Sequence, residues 1–160
     1  MYKRQSYDPQ HKMLFVNSVD WCGVVKLGEV RLIKGQLFFG GSMQLDPSEK
    51  AVGNTTAYDA ATGKPMWKYE LPGIRIVGGV TSTGGNLVLA GAMNGTFYAL
   101  DATSGKVLFK DNIDKAPIGG GVSTFEIAGK QYMAVAAGNT SKGTAGVKNV
   151  GSRIAIYSLK

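Results

Sequence analysis

Apolar residues along this chain come in short bursts, not at the three-to-four-residue spacing of a helix. The clearest runs are KMLFVNSV, RLIKGQLFFGGSM, NTTAYDA, PMWKYEL, NLVLAGAM, GTFYALDA, KVLFKDNI, STFEIAG, KQYMAVAAG and SRIAIYSLK. Each is fenced by Gly, Asn, Asp or Pro, which end strands and build turns. Ten such runs, with no segment holding a 3.6-residue apolar period, predict an all-β chain.

The runs repeat. AYDAATGKPMW (57–67) aligns with ALDATSGKVLF (99–109) at a constant offset of 42 residues. Ala57 matches Ala99, Asp59 matches Asp101, Gly63 matches Gly105, and Trp67 matches Phe109. Gly78-Gly79-Val80 and Gly120-Gly121-Val122 keep the same offset. NLVLAG and QYMAVAAG follow as equivalent strands, and SRIAIYSLK resembles GTFYALDA. Strand-only units of about 40–45 residues are propeller blades, since a solenoid of this period needs helices. An immunoglobulin-like array needs about 100 residues per unit. The expectation is one partial β-propeller domain over residues 1–160, with about three to four four-stranded antiparallel blades.

Composition agrees with this picture. Hydrophobic residues make up 44% and charged residues 18%, a globular balance, and 23 glycines serve many tight turns. The net charge of +7 is spread thinly, with no basic run longer than Lys3-Arg4. It reads as solvated sheet faces, and no nucleic-acid partner is expected. The longest uncharged stretch, Ile76 to Leu100, is broken by Gly, Ser, Thr and Asn, so it is not read as a membrane span. The opening MYKRQSYDPQ has no apolar h-region, and no signal peptide is expected in it. Cys22 is the only cysteine and His11 the only histidine. Neither a disulfide framework nor a Ser-His-Asp set is readable from them. Asp46 and Glu49 read as a solvated loop, and Met43, Met66, Met93 and Met133 as blade core.

The repeated motif carries a Gly-Lys pair but not a phosphate loop. A Walker loop needs an earlier glycine and a following helix, and neither repeat has them. An architectural role suits every position. Ala57 and Ala99 are small where strands approach, and Asp59 and Asp101 accept bonds from turn amides. Gly63 and Gly105 supply a positive φ, and Trp67 or Phe109 offers a broad face to the next blade.

A-x-D-x-x-[TS]-G-K-x-x-[WF] resembles the tryptophan-docking motif of the quinoprotein dehydrogenases, eight-bladed propellers that bind pyrroloquinoline quinone (PQQ). SYDP…LFVNSVDWC, GQLFFGGSM, GGVTSTGGNLVLAGAMNGTFYALDA and GGGVSTFEIAGKQYMAVAAGNTS, in this order, resemble the C-terminal part of a soluble alcohol dehydrogenase of that family. The resemblance implies calcium and quinone on the propeller axis and a carboxylate base for the alcohol. The family's calcium ligands, catalytic Asp and vicinal disulfide lie in blades upstream, and no catalytic or metal-ligating residue is assigned here. Three stretches resemble segments lining the quinone: Asn17 with Trp21, Gly78 with Gly79, and Asn139 with Thr140. Asn17 equally reads as a turn residue after a strand, and Trp21 as an interblade core aromatic. The sequence departs from the family at Val77, where an aromatic often precedes Gly-Gly, and after Thr140, where a tryptophan is usual.

The resemblance implies a periplasmic location and a cytochrome electron acceptor. It further implies that this segment needs the remaining blades, or a second copy, to close a ring. Alone it is expected to be inactive. The competing reading is a non-catalytic propeller scaffold for protein assembly.

Overall fold

The computed structural model describes residues 5–35, 40–138 and 150–158. The described residues contain thirteen strands in four antiparallel sheets and no α-helix. β1 (Gln5–Asp8) and β2 (Met13–Asp20) form a hairpin, and β3 (Gly23–Leu27) and β4 (Gly41–Leu45) form a separate one. β5 (Val52–Asp59) then returns to β2, and β6 (Pro65–Pro72) completes the first sheet in the order β1-β2-β5-β6. The second sheet runs β7 (Thr81–Ser82), β8 (Leu87–Gly91), β9 (Thr96–Asp101), β10 (Val107–Asn112). The third holds β11 (Val122–Ile127), β12 (Lys130–Ala137) and β13 (Arg153–Ser158). Apart from the inserted β3–β4 hairpin, strands within each sheet follow one another in chain order, as in propeller blades.

Three strands escape the hydrophobic pattern. β1 and β7 are short and polar, and β3 is exposed at all five positions. RLIKGQLFFGGSM does not form one strand: residues 31–35 are loop and turn, and the described strand begins at Gly41. The all-β, propeller-like expectation holds: the described residues form two four-stranded sheets, a three-stranded sheet and a separate hairpin.

The core lies on both faces of the second sheet. Strand side chains alternate between faces, and β9 is buried on both. Tyr98 and Leu100 join Phe15, Ala57 and Ile76 of the first sheet and its connector. Phe97 and Ala99 join Ile118 and Val135 on the other side. Fully burying one such apolar side chain contributes about 1.5–3 kcal/mol. The middle sheet is held from both sides, while each outer sheet packs one face only within the described core.

Antiparallel pairing sorts the connections to two ends. The β2–β5 and β8–β9 links and the connectors 73–80 and 113–121 leave one end, here the loop end. The tight turns 9–12, 60–64 and 102–106 leave the other, the turn end.

Candidate functional site

At the loop end the first expected residue, Asn17, lies within β2 and is not a turn residue after the strand. Asn17, on the buried face of β2, is 3% exposed. Its Nδ2 donates to the Gly78 carbonyl at 3.2 Å, and its Oδ1 accepts the Thr55 hydroxyl at 2.6 Å. Thr55 Oγ1 lies 2.8 Å from the Tyr98 hydroxyl. A hydroxyl has one hydrogen, and Thr55 commits its own to Asn17, so Tyr98 is the donor to Thr55. A directed chain therefore runs Tyr98, Thr55, Asn17, Gly78, joining the second sheet, the first sheet and the connector between them. Burial pushes the Tyr98 phenol far above its ordinary range, so it remains a neutral donor.

Gly78 is packed backbone to backbone. A Cβ there would lie 2.3 Å from the Gly120 carbonyl oxygen, and the Gly79 N–H donates to that oxygen at 3.2 Å. The two Gly-Gly-Val repeats thus meet each other. Trp21 is partly buried, and its indole N–H donates to the Asp46 carbonyl at 2.8 Å. The guanidinium of buried Arg75 lies 5.0 Å from its ring centroid, a cation–π contact. Asn139 and Thr140 fall outside the described residues; they follow Gly138, whose N–H donates to the Pro117 carbonyl of the second connector at 2.9 Å.

Among the described residues, this end does not by itself fit a quinone or its metal. Small-molecule sites span about 300–1,000 Å³. The cavity bounded by Ser48, Gly73, Ile74, Arg75, Met93 and Asn94 holds about 110 Å³. No group of three His, Cys, Asp or Glu side chains among the described residues is placed to hold a metal ion. Among the described residues this end holds the Asn17 amide, fixed by its chain, and the close-packed backbone of Gly78 and Gly79.

At the turn end the two repeats are near copies. Asp59 Oδ1 accepts the N–H groups of Ala61 and Thr62 at 3.1 and 2.7 Å and the Thr62 hydroxyl at 2.7 Å. Asp101 Oδ1 does the same with Thr103, Ser104 and the Ser104 hydroxyl, at 3.1, 2.8 and 2.8 Å. The hydroxyls, and then the amides, hold both carboxyls below their ordinary range. Gly63 and Gly105 close the turns at φ +71° and +72°. The Trp67 indole N–H donates to the Ala102 carbonyl at 2.8 Å. Its ring lies where a Gly105 Cβ would be, at 2.7 Å, with Phe15 5.7 Å behind it. Ala57 sits opposite Trp67, and Ala99 opposite Phe109, in the ladders. The Phe109 side chain has no N–H to donate, and its ring meets Phe97 and Tyr157 edge-on at 6.1 and 5.7 Å.

His11 pairs with a carboxylate of its own turn. Its Nδ1 lies 2.6 Å from Asp8 Oδ2. Burial would raise the Asp8 pKa, but the bonds from His11 and from the Gln10 and His11 amides outweigh it and keep that carboxyl low. Sequence reasoning missed Arg75, Thr55 and Tyr98. Thr55 and Tyr98 stand in strand runs where an ordinary Thr or Tyr is expected. Arg75 gives no signal beyond being one of four arginines.

Comparison with known proteins matches the chain to a family. The family model described as outer membrane protein assembly factor BamB matches residues 51–147. The methanol dehydrogenase [cytochrome c] subunit 1 of Methylobacterium organophilum is 29% identical over 137 residues, 81% of this chain and 22% of that protein. A quinoprotein ethanol dehydrogenase of Pseudomonas aeruginosa is 32% identical over 140 residues, 83% of this chain and 21% of that protein. The chain thus spans about a fifth of the length of these curated relatives. A europium-containing methanol dehydrogenase of known structure superposes with a TM-score of 0.83 at 23% identity, over 98% of this chain and 32% of that one. That likeness establishes the fold, a segment of a β-propeller.

Proposed function

From the premise that the chain belongs to the β-propeller family shared by BamB and the quinoprotein alcohol dehydrogenases, we propose that it forms the C-terminal blades of a PQQ-dependent alcohol dehydrogenase. The observation that carries this is the ordered similarity over 83% of the chain to a quinoprotein ethanol dehydrogenase. PQQ, when bound, supplies the two-electron acceptor chemistry for alcohol oxidation. The residues of this chain contribute position. Asn17, oriented by Thr55 and Tyr98, and the close-packed Gly78–Gly120 contact shape one wall near the propeller axis. The metal ligands and the carboxylate base belong to blades outside these residues, so this chain alone is inactive. Periplasmic location and transfer of electrons to a cytochrome are part of the same reading. No helix among the described residues is long and apolar enough to cross a membrane.

Calorimetric titration with PQQ and calcium tests the proposal. The expected result is no micromolar binding by this chain alone, and binding with alcohol-dependent dye reduction once the remaining blades are co-expressed. Dye reduction by the isolated chain overturns the inactivity. No activity in the completed propeller overturns the dehydrogenase reading.

A second reading is a non-catalytic assembly scaffold. The β3–β4 hairpin favours it, exposing Val24, Val25, Leu27, Met43 and Leu45 outside both cores. Recovery of a stable protein partner that is lost on Val25→Lys, without quinone binding by the completed propeller, selects this reading.

A further inference from the structure

A buried cation stands at the loop end. Arg75, in the first connector, is 8% exposed. A guanidinium keeps its charge at any physiological pH and carries five N–H donors in one planar fork. Taking that charge out of water is costly unless acceptors or an anion compensate it. The Trp21 ring supplies part of the compensation, with the guanidinium carbon 5.0 Å from its centroid. Trp21 is itself held by its indole bond to the Asp46 carbonyl at 2.8 Å. A ring face attracts the cation, but it is not the bidentate acceptor that the fork matches best.

Arg75 also lines the cavity of about 110 Å³ that it shares with Ser48, Gly73, Ile74, Met93 and Asn94. Three segments frame it: the short 3-10 turn Ser48–Lys50, the connector, and the β8–β9 turn. Backbone bonds tie them together. The Gly73 N–H donates to the Ala51 carbonyl at 2.8 Å, and the Met93 N–H to the Arg75 carbonyl at 2.9 Å. The polar side chains of the lining are donors: a guanidinium, a hydroxyl and an amide. Asn94 Oδ1 accepts the Thr96 N–H at 3.1 Å, so the acceptor side of that amide is committed and its Nδ2 is the end left for a ligand. No lining residue carries a carboxylate. The neighbouring Glu49 is exposed and accepts the Ser48 hydroxyl at 3.3 Å.

We propose that this cavity binds a small carboxylate anion. The Arg75 fork takes its two oxygens, and the Asn94 amide and the Ser48 hydroxyl complete the donor set. The planar fork selects a carboxylate over a spherical ion. The volume selects a ligand of few heavy atoms: it lies well above the ~10–15 Å³ that admits one water and below the ~300–1,000 Å³ of a drug-sized site. Asn17, Gly78 and Gly79 are not among the lining residues. The inference therefore draws on neither the quinone nor other blades, and its failure leaves the dehydrogenase reading untouched.

The probe is acetate, added to the full 160-residue chain carrying Trp67→Phe, which leaves Trp21 as the only tryptophan. Trp21 emission is expected to change along a saturable curve in the millimolar range, because the ligand meets the cation that lies over its ring. The NMR signals of the Asn94 side-chain amide and the Arg75 Nε–H should shift with the same constant. Acetamide, neutral and of the same shape, should bind at least tenfold more weakly. Arg75→Lys keeps the charge without the fork and should also lose at least tenfold. Asn94→Asp keeps an oxygen for the Thr96 N–H but replaces the donor with a negative charge, and should abolish binding while the free protein melts as before. The absence of a saturable change at molar acetate overturns the proposal. So does equal affinity for acetamide, a response that sodium chloride reproduces, or undiminished binding by Arg75→Lys or Asn94→Asp.

Discussion

Single residues here do work that their type alone does not announce. Trp67 is both a packing surface and a donor to the Ala102 carbonyl. Trp67→Ala is expected to cost about 3 kcal/mol in urea unfolding, since it removes both. Trp67→Phe keeps most of the ring contact, and losing the bond costs about 1 kcal/mol. Thr55 is the middle of the buried chain. Thr55→Val leaves the Asn17 Oδ1 and the Tyr98 hydroxyl without their partner, at an expected cost of about 1–3 kcal/mol. Asp8, Asp59 and Asp101 are held below the ordinary carboxylate range when folded. Their stabilisation is therefore present above the unfolded value, about pH 3.9, and is lost as pH falls through the lower folded values. Melting temperature measured from pH 6 to pH 2 should fall in that acidic window, and Asp101→Asn should flatten the fall.

At the scale of elements, turns and connectors differ in why they need glycine. Gly63 has open space around its Cα, so Gly63→Ala meets only the left-handed backbone, at about 1–2 kcal/mol. Gly105→Ala adds a collision with the Trp67 ring and should cost more by thermal unfolding. Gly78 has no positive φ, yet Gly78→Ala drives a methyl into the Gly120 carbonyl and pushes the first connector off the second. This should lower stability by about 1–3 kcal/mol, as overpacking does. The strands were legible where apolar residues alternate between turn formers, as in β2, β5, β6 and β9. β1, β3 and β7 were not, because they pair through backbone with little buried apolar surface to mark them. The hairpin β3–β4 packs into neither core, so the hydrophobic pattern around Arg31–Ile33 misled the boundary of its second strand.

For the molecule as a whole, the repeat makes a linear array in which each sheet is stabilised by its neighbours. The central sheet has partners on both faces, whereas Phe125, Ile127, Ile154 and Ile156 of the third remain exposed. Stability should accordingly be uneven: amide exchange of β8 and β9 is expected to be slowest, and that of the third sheet faster. Were β11–β13 the best protected strands, this ordering would be wrong.

The sequence by itself determined the class of fold, the 42-residue period, the family resemblance and the chemistry of the repeated turn. These depend on local alternation, on turn residues and on spacing, all of which are written along the chain. Only the tertiary structure decided that Asn17 is bound to Thr55 and Gly78, that the two Gly-Gly-Val repeats touch, and that the β3–β4 hairpin stands apart from the other described sheets. Those outcomes depend on which residues from distant segments meet, and 61 positions separate Asn17 from Gly78.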